Sequence, residues 1–190
     1  MLVGLYFGSF NPIHNGHMII AQAVLDSSNL DEVWFIVSPQ NPLKKNRHLL
    51  HEFDRYDMVN LAIAENDRFK VSDIEFKMPR PSYTIDTLIY LTEKHPNIDF
   101  KLIIGGDNLA ILPKWKNSER IIQDFGLVVY PRPGSGEIDT RKHPNISYIQ
   151  APLLDISATY IRKCIKENRS IRYLVPQKVA EFINDRKLYR

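Results

Sequence analysis

Leu2-Val3-Gly4-Leu5-Tyr6-Phe7-Gly8-Ser9-Phe10-Asn11-Pro12-Ile13-His14-Asn15-Gly16-His17 opens the chain after its first methionine. The apolar run 2–7 is short, lacks the period of a helix, and reads as a strand buried on both faces. Residues 16–28 carry Met18, Ala21, Val24 and Leu25 at helical spacing, so a helix follows. The loop between them has glycine at position 8, which lets the backbone turn tightly and lets a ligand come close. Asn15-Gly16 opens the helix, whose first amides have no partners inside it and whose dipole favours an anion. His14 and His17, three apart, fall on one side of that helical turn. Imidazoles placed there could donate to phosphate oxygens. They could equally cap or pack locally, or ligate zinc, although no third ligand is evident nearby. An ordinary turn is also consistent with the loop. It is neither a P-loop nor a G-x-G-x-x-G fingerprint.

Outward from this unit the same alternation continues. Strands are expected at 33–37, within 69–76, and at 100–104, 127–130 and 146–149. Helices are expected at 53–64, 83–94, 118–124, 157–167 and 176–187. Strands alternating with helices imply an α/β fold with an open, mostly parallel sheet and helices on both faces. Ligands of such sheets bind beyond the carboxyl ends of the strands. The loops after Phe7, Val37, Ile104 and Tyr130 are therefore the first places to look. A second helix start, Ile156-Ser157-Ala158-Thr159-Tyr160-Ile161-Arg162, puts an N-cap hydroxyl at Ser157 and sets Thr159 and Arg162 on one face. That is a second phosphate cradle or a capped surface helix with a solvated arginine.

The 190 residues suit one domain, 1–190, with residues 156–190 as a small C-terminal helical extension. A 44% hydrophobic, 25% charged composition excludes wholesale disorder, and a single cysteine, Cys164, excludes a disulfide scaffold. No apolar run reaches membrane-spanning length and the first residues lack a basic signal-peptide region, so a cytoplasmic protein is expected. The net charge of +3 suits phosphate ligands but is weak for a nucleic-acid binder. We expect no nucleic-acid and no membrane partner.

Taken together, GSFNPIHNGH at 8–17 and ISATYIR at 156–162 resemble the HxGH nucleotidyltransferases, a superfamily with a Rossmann-like fold. Between them, Pro81-Ser82-Tyr83-Thr84-Ile85-Asp86-Thr87-Leu88, Ile103-Ile104-Gly105-Gly106-Asp107-Asn108-Leu109 and Pro113-Lys114-Trp115 look like the bacterial nicotinate mononucleotide adenylyltransferases. The likeness runs from Gly4 to about Arg162. It implies adenylyl transfer from ATP to nicotinate mononucleotide, giving deamido-NAD and pyrophosphate, in NAD biosynthesis. It implies Mg²⁺ accompanying ATP, with no metal held by protein ligands, and it allows a homo-oligomer. By the same likeness His14, His17, Lys44 and Arg162 are catalytic. ATP is held by Gly8, Ser9, Phe10, His14, His17, Gly105, Asp107, Ser157, Thr159 and Arg162. The nicotinate nucleotide is held by Ser9, Phe10, Lys44, Tyr83, Thr84, Asp107 and Trp115.

Read without the likeness, several of these residues keep plainer roles. Trp115 is a surface aromatic under lysine stems, Asp107 a helix cap, Thr84 the cap of the helix at 83–94, and Lys44 and Lys45 solvated loop charges. Arg132-Pro133-Gly134 lines an adenine pocket or forms a plain turn. Lys116 stands where many relatives carry an aromatic residue, which changes the packing beside Trp115.

Overall fold

The computed structural model describes residues 1–39, 49–133 and 143–190. Six strands form one sheet: β1 Leu2–Gly8, β2 Glu32–Val37, β3 Phe69–Ser72, β4 Asp99–Gly105, β5 Leu127–Tyr130 and β6 Ile146–Tyr148. Their order is β3-β2-β1-β4-β5-β6, and every pairing is parallel. This is the doubly wound Rossmann-like order expected from the alternation of elements. The order of strand addition switches sides between β1 and β4, parallel neighbours in which Tyr6 pairs with Ile103. The carboxyl ends at Gly8 and Gly105 therefore lie side by side at the switch point.

Alternate side chains on each strand enter opposite cores. Val3 and Leu5 of β1, with Leu102 and Ile104 of β4, face one cluster; Tyr6 and Ile103 face the other. The first face is covered by α3 (Thr84–Lys94), with Ile85, Leu88 and Leu91 pointing inward. The opposite face is covered by α1 (Asn15–Ser27), α2 (Glu52–Ile63), α6 (Ala158–Lys166) and α7 (Gln177–Asp185). Their inward residues include Ala21, Val24, Met58, Val59, Ile161, Val179 and Ile183. Cys164 is buried on the same stripe of α6 as Ile161.

Two segments differ from the sequence reading. Gly105-Gly106 was expected to end a strand in a loop. Instead Gly105 caps a short helix directly, α4 Gly106–Ile111, followed by a 3-10 turn at Leu112–Lys114. Asp107 in the first turn of α4 meets the positive end of the helix dipole, which offsets the poor propensity of glycine. The helix expected at 118–124 begins as α5, Ser118–Arg120, and widens into a π-helical turn, Ile121–Phe125. Gly126 closes that turn with φ +74°, a left-handed conformation that glycine adopts without strain.

Candidate active site

The loop leaving β1 is tightly shaped. The Phe10 ring packs where a Cβ on Gly8 would sit, 2.7 Å from its closest carbon, so position 8 admits only glycine without repacking. Phe10 is buried with φ +44°, a conformation rare outside glycine and held only when the surroundings impose it. Its ring meets His17 edge-on at 5.1 Å.

His14 is the N-cap residue of α1, and His17 is its third helical residue. The two imidazoles stack, with centroids 3.7 Å apart and planes at 28°. The backbone N–H of His14 donates to His17 Nδ1 at 3.2 Å. In the neutral ring this leaves the proton on Nε2, so His17 presents Nε2–H as its donor. The His14 side chain faces the His17 N–H as the reciprocal half of a capping box, and its buried Nδ1 makes no full hydrogen bond among the described residues. Neither α1 nor α6 carries an acidic residue in its first turn, so both positive helix ends remain available to an anion.

Burial holds both imidazoles neutral. It lowers the His14 pKa to about 4, with the Arg132 guanidinium adding to the effect. It pushes His17 well below its ordinary value, helped by His14 and Arg132. A histidine that stays neutral in the fold but charges in the unfolded chain makes the unfolded state bind more protons. Stability is therefore full above pH 6.5 and falls as the pH drops toward 4, the window set by the ordinary and folded values of His14. The expected loss from this one group is about 3 kcal/mol at the acid end. Urea unfolding at pH 7 and pH 4.5 checks this, and His14→Asn should make the dependence shallower, leaving the share that belongs to His17. An equal slope in the variant would place the acid sensitivity elsewhere.

The second helix start is brought against the first. Ser157 caps α6, its hydroxyl accepting from the N–H of Tyr160 at 3.2 Å. One terminal nitrogen of Arg162 donates to the Asn11 carbonyl at 2.8 Å, and the other reaches the Thr159 hydroxyl at 3.2 Å. Arg162 is thus a tether between the two motifs and not a solvated arginine. The Asn11 side-chain oxygen in turn accepts from the Tyr189 hydroxyl at 2.9 Å and from the N–H of Leu50 at 3.3 Å.

Gly105 and Asp107 lie at the end of β4 and the start of α4, with the Asp107 carboxylate folded back against Gly105. Arg132 leans over the Tyr130 ring and hydrogen-bonds its hydroxyl at 3.4 Å. Tyr130 meets the buried Tyr6 hydroxyl at the same distance. These groups share the carboxyl-end face of the sheet with the histidines.

Tyr83, not Thr84, is the N-cap residue of α3, and neither side chain caps it. Thr84 is the first helical residue because Tyr83 is the last to keep extended backbone. Trp115 follows the 3-10 turn, half-buried against the core under α3, with its buried Nε1 unpartnered among the described residues. Lys116 reaches across to Asp86 at 2.8 Å and lies 4.9 Å above the Tyr83 ring. Lys116 thus joins the Trp115 turn to the start of α3 by charge. Lys44 and Lys45 lie outside the described residues.

Three residues were not singled out from sequence. Arg55 is fully buried on α2 beneath the first loop. Its place on one stripe with Met58 and Val59 is the visible signal, a cation at an apolar position. Glu75 is buried and accepts from the Thr87 hydroxyl at 2.8 Å. Burial raises its carboxyl pKa, while the hydroxyl of Thr87 works against the rise. Tyr189 had no signal in its own neighbourhood, because its partner Asn11 is 178 residues away.

The comparisons agree with this geometry. Residues 5–164 match the family described as cytidylyltransferase-like. A curated protein of Cytophaga hutchinsonii is 57% identical over 100% of this chain and 98% of its own length, and bears the name "Probable nicotinate-nucleotide adenylyltransferase". A protein of Flavobacterium psychrophilum with the same name is 47% identical over the whole of both chains. Among solved structures, the nicotinic acid mononucleotide adenylyltransferase of Plasmodium falciparum, complexed with NaAD, superposes with a TM-score of 0.81. It covers 99% of this chain and 97% of that one at 21% identity, which speaks to the fold. With two helix starts converging at the switch point of a 3-2-1-4-5-6 sheet, and with relatives of this identity over its full length, the chain belongs to the cytidylyltransferase-like family and, within it, to the nicotinate-nucleotide adenylyltransferases.

Proposed function

We propose that residues 1–190 form one nucleotidyltransferase domain that joins ATP to nicotinate mononucleotide. A phosphate oxygen of the mononucleotide attacks the α-phosphorus of ATP. The bond from that phosphorus to the bridging oxygen breaks, and pyrophosphate leaves with the electron pair. The products are deamido-NAD and pyrophosphate, which places the enzyme in NAD biosynthesis. The attacking phosphate is already anionic, so no general base is needed. What the protein must supply is alignment and neutralisation of charge.

The observation that carries this reading is the Arg162–Asn11 contact, which sets the second helix start beside the stacked histidines. In this reading His14 and His17 hold the ATP phosphates, and His17 Nε2–H faces the charge that develops at the α-phosphorus. Ser157, Thr159 and Arg162 take the β- and γ-phosphates, and Lys44 reaches in from the segment after β2. The Gly8-Ser9-Phe10 backbone lies between the two nucleotides, and Gly105 and Asp107 meet ribose or base. Tyr83, Thr84 and Trp115 receive the nicotinate ring and its carboxylate. Among the described residues no three His, Cys, Asp or Glu side chains gather as metal ligands. A divalent cation, Mg²⁺, enters here as part of the ATP substrate, on phosphate oxygens and water.

Pyrophosphate release from ATP and Mg²⁺ tests the assignment, with nicotinate mononucleotide, nicotinamide mononucleotide and phosphopantetheine compared at equal concentration. The expected result is strong preference for the nicotinate nucleotide. Preference for either other acceptor would overturn the roles of Thr84 and Trp115.

A further inference from the structure

Arg55 is fully buried, yet the atoms that receive its protons are all backbone carbonyls. One terminal nitrogen donates to Ser9 O at 2.6 Å and to Ser38 O at 2.8 Å. The other reaches Pro39 O at 3.3 Å, and Nε donates to Leu50 O at 3.0 Å. Glu52, the acidic neighbour on the same helix, is engaged by Arg80 at 2.6 Å. Burial pulls the Arg55 pKa down to about 10, so the group remains charged at neutral pH.

The carbonyls belong to two connections, β1 to α1 and β2 to α2, the second of them reached at both of its ends. Ser9 follows β1, Ser38 and Pro39 follow β2, and Leu50 precedes α2. Gly8 and Val37 are paired at the carboxyl ends of β1 and β2, and the Ser38 N–H bonds Gly8 O at 2.9 Å. The guanidinium fork therefore bridges two neighbouring strand ends just where they leave the sheet. Only a planar group with five donors in fixed directions can serve these carbonyls at once, and an ammonium cannot reproduce that fork.

We propose that Arg55 is a positioning residue for the transfer step: by pinning Ser9 O to Ser38 O it sets the spacing between the β1 and β2 loops and so the alignment of the two bound nucleotides. This rests on the function proposed above, in which the Ser9–Phe10 backbone lies between the substrates. A residue with this role acts on the ternary complex more than on either substrate alone. Misplacement by about an ångström can cost about 10²-fold in rate while each partner still binds.

The test uses Arg55→Lys and Arg55→Ala in the full chain, each compared with wild type at a temperature where circular dichroism shows all to be folded. In Arg55→Lys, kcat should fall about 10–100-fold, while binary Kd values for a non-hydrolysable ATP analogue and for nicotinate mononucleotide stay within about 3-fold. Methylguanidinium added to Arg55→Ala should restore part of kcat. Amide exchange in Arg55→Lys should quicken at residues 8–10 and 36–39 without quickening across α2. The proposal is overturned by a lower melting temperature with wild-type kcat, by binary affinities that fall as far as kcat, or by two variants that do not fold. A wild-type protein inactive on nicotinate mononucleotide would sink the substrate assignment instead. The exchange pattern would then decide the role of Arg55 in holding the two loops.

Discussion

His17→Ala is expected to lower kcat about 10²–10³-fold, with a much smaller change in KM for ATP. The expectation follows from how the ring is held. His17 Nδ1 is occupied by the His14 N–H, so the ring offers Nε2–H and cannot rotate to offer the other edge. Stacking on His14 and edge contacts to Phe10 and Tyr6 fix its plane. A donor fixed before the substrate arrives needs no reorganisation as charge builds at the α-phosphorus, and so acts mostly on the transition state. Because burial keeps the ring neutral, its effect is that of an oriented hydrogen bond and not of a full charge. Single-turnover rates at saturating ATP measure this directly. A variant that keeps wild-type turnover would remove His17 from the chemistry. Truncation also empties space beside Phe10, so the rate should be compared per folded molecule.

Arg162→Ala should cost about 10²-fold in kcat/KM for ATP, mainly through KM. Two effects add at this residue. The guanidinium is the charged partner for the terminal phosphates in the proposed complex. It is also the strut that holds α6 to the first loop at the Asn11 carbonyl. Arg162→Lys separates them, since a lysine keeps the charge but cannot span both Asn11 O and Thr159 Oγ1 in one plane. Recovery of most of the ATP affinity in Arg162→Lys would assign the loss to charge. A loss as deep as in alanine would assign it to the strut. An alanine variant with unchanged kcat/KM would refute the placement of the terminal phosphates.

The sheet and its helices were legible because their signals are local. An apolar run of five or six residues followed by a helical stripe is decided within its own segment, and β1, α1, β2, α3 and β5 fall within one or two residues of expectation. α4 starts earlier than a cap at Asp107 would place it: Gly105-Gly106 reads as a break, yet Gly105 itself is the N-cap residue at the end of the strand and Asp107 lies within the first turn. Among site residues, His14, His17, Ser157, Thr159 and Arg162 stand at helix starts, a position that sequence spacing reveals. What spacing cannot reveal is that Arg162 faces Asn11 rather than water, since that contact joins residues 151 apart. The same holds for Lys116, whose partner Asp86 is 30 residues away on α3. Arg55 was overlooked for a different reason: an arginine is by default an exposed residue, and only the carbonyls of two loops make its burial tolerable.

The Tyr189–Asn11 hydrogen bond has a bearing on the order in which the site can form during synthesis. Asn11 emerges from the ribosome among the first residues, but Tyr189, and the Leu174 carbonyl that receives the Asn15 N–H, are made long afterwards. The loop proposed to meet ATP therefore lacks the contacts that complete it until those later residues have been made. A nascent chain that has already paired β1 with β2 and β4 still lacks the groups that hold this loop in shape. Nucleotide capture by the proposed site is accordingly expected to begin only once Tyr189 has joined the fold, a step later than the pairing of the central strands.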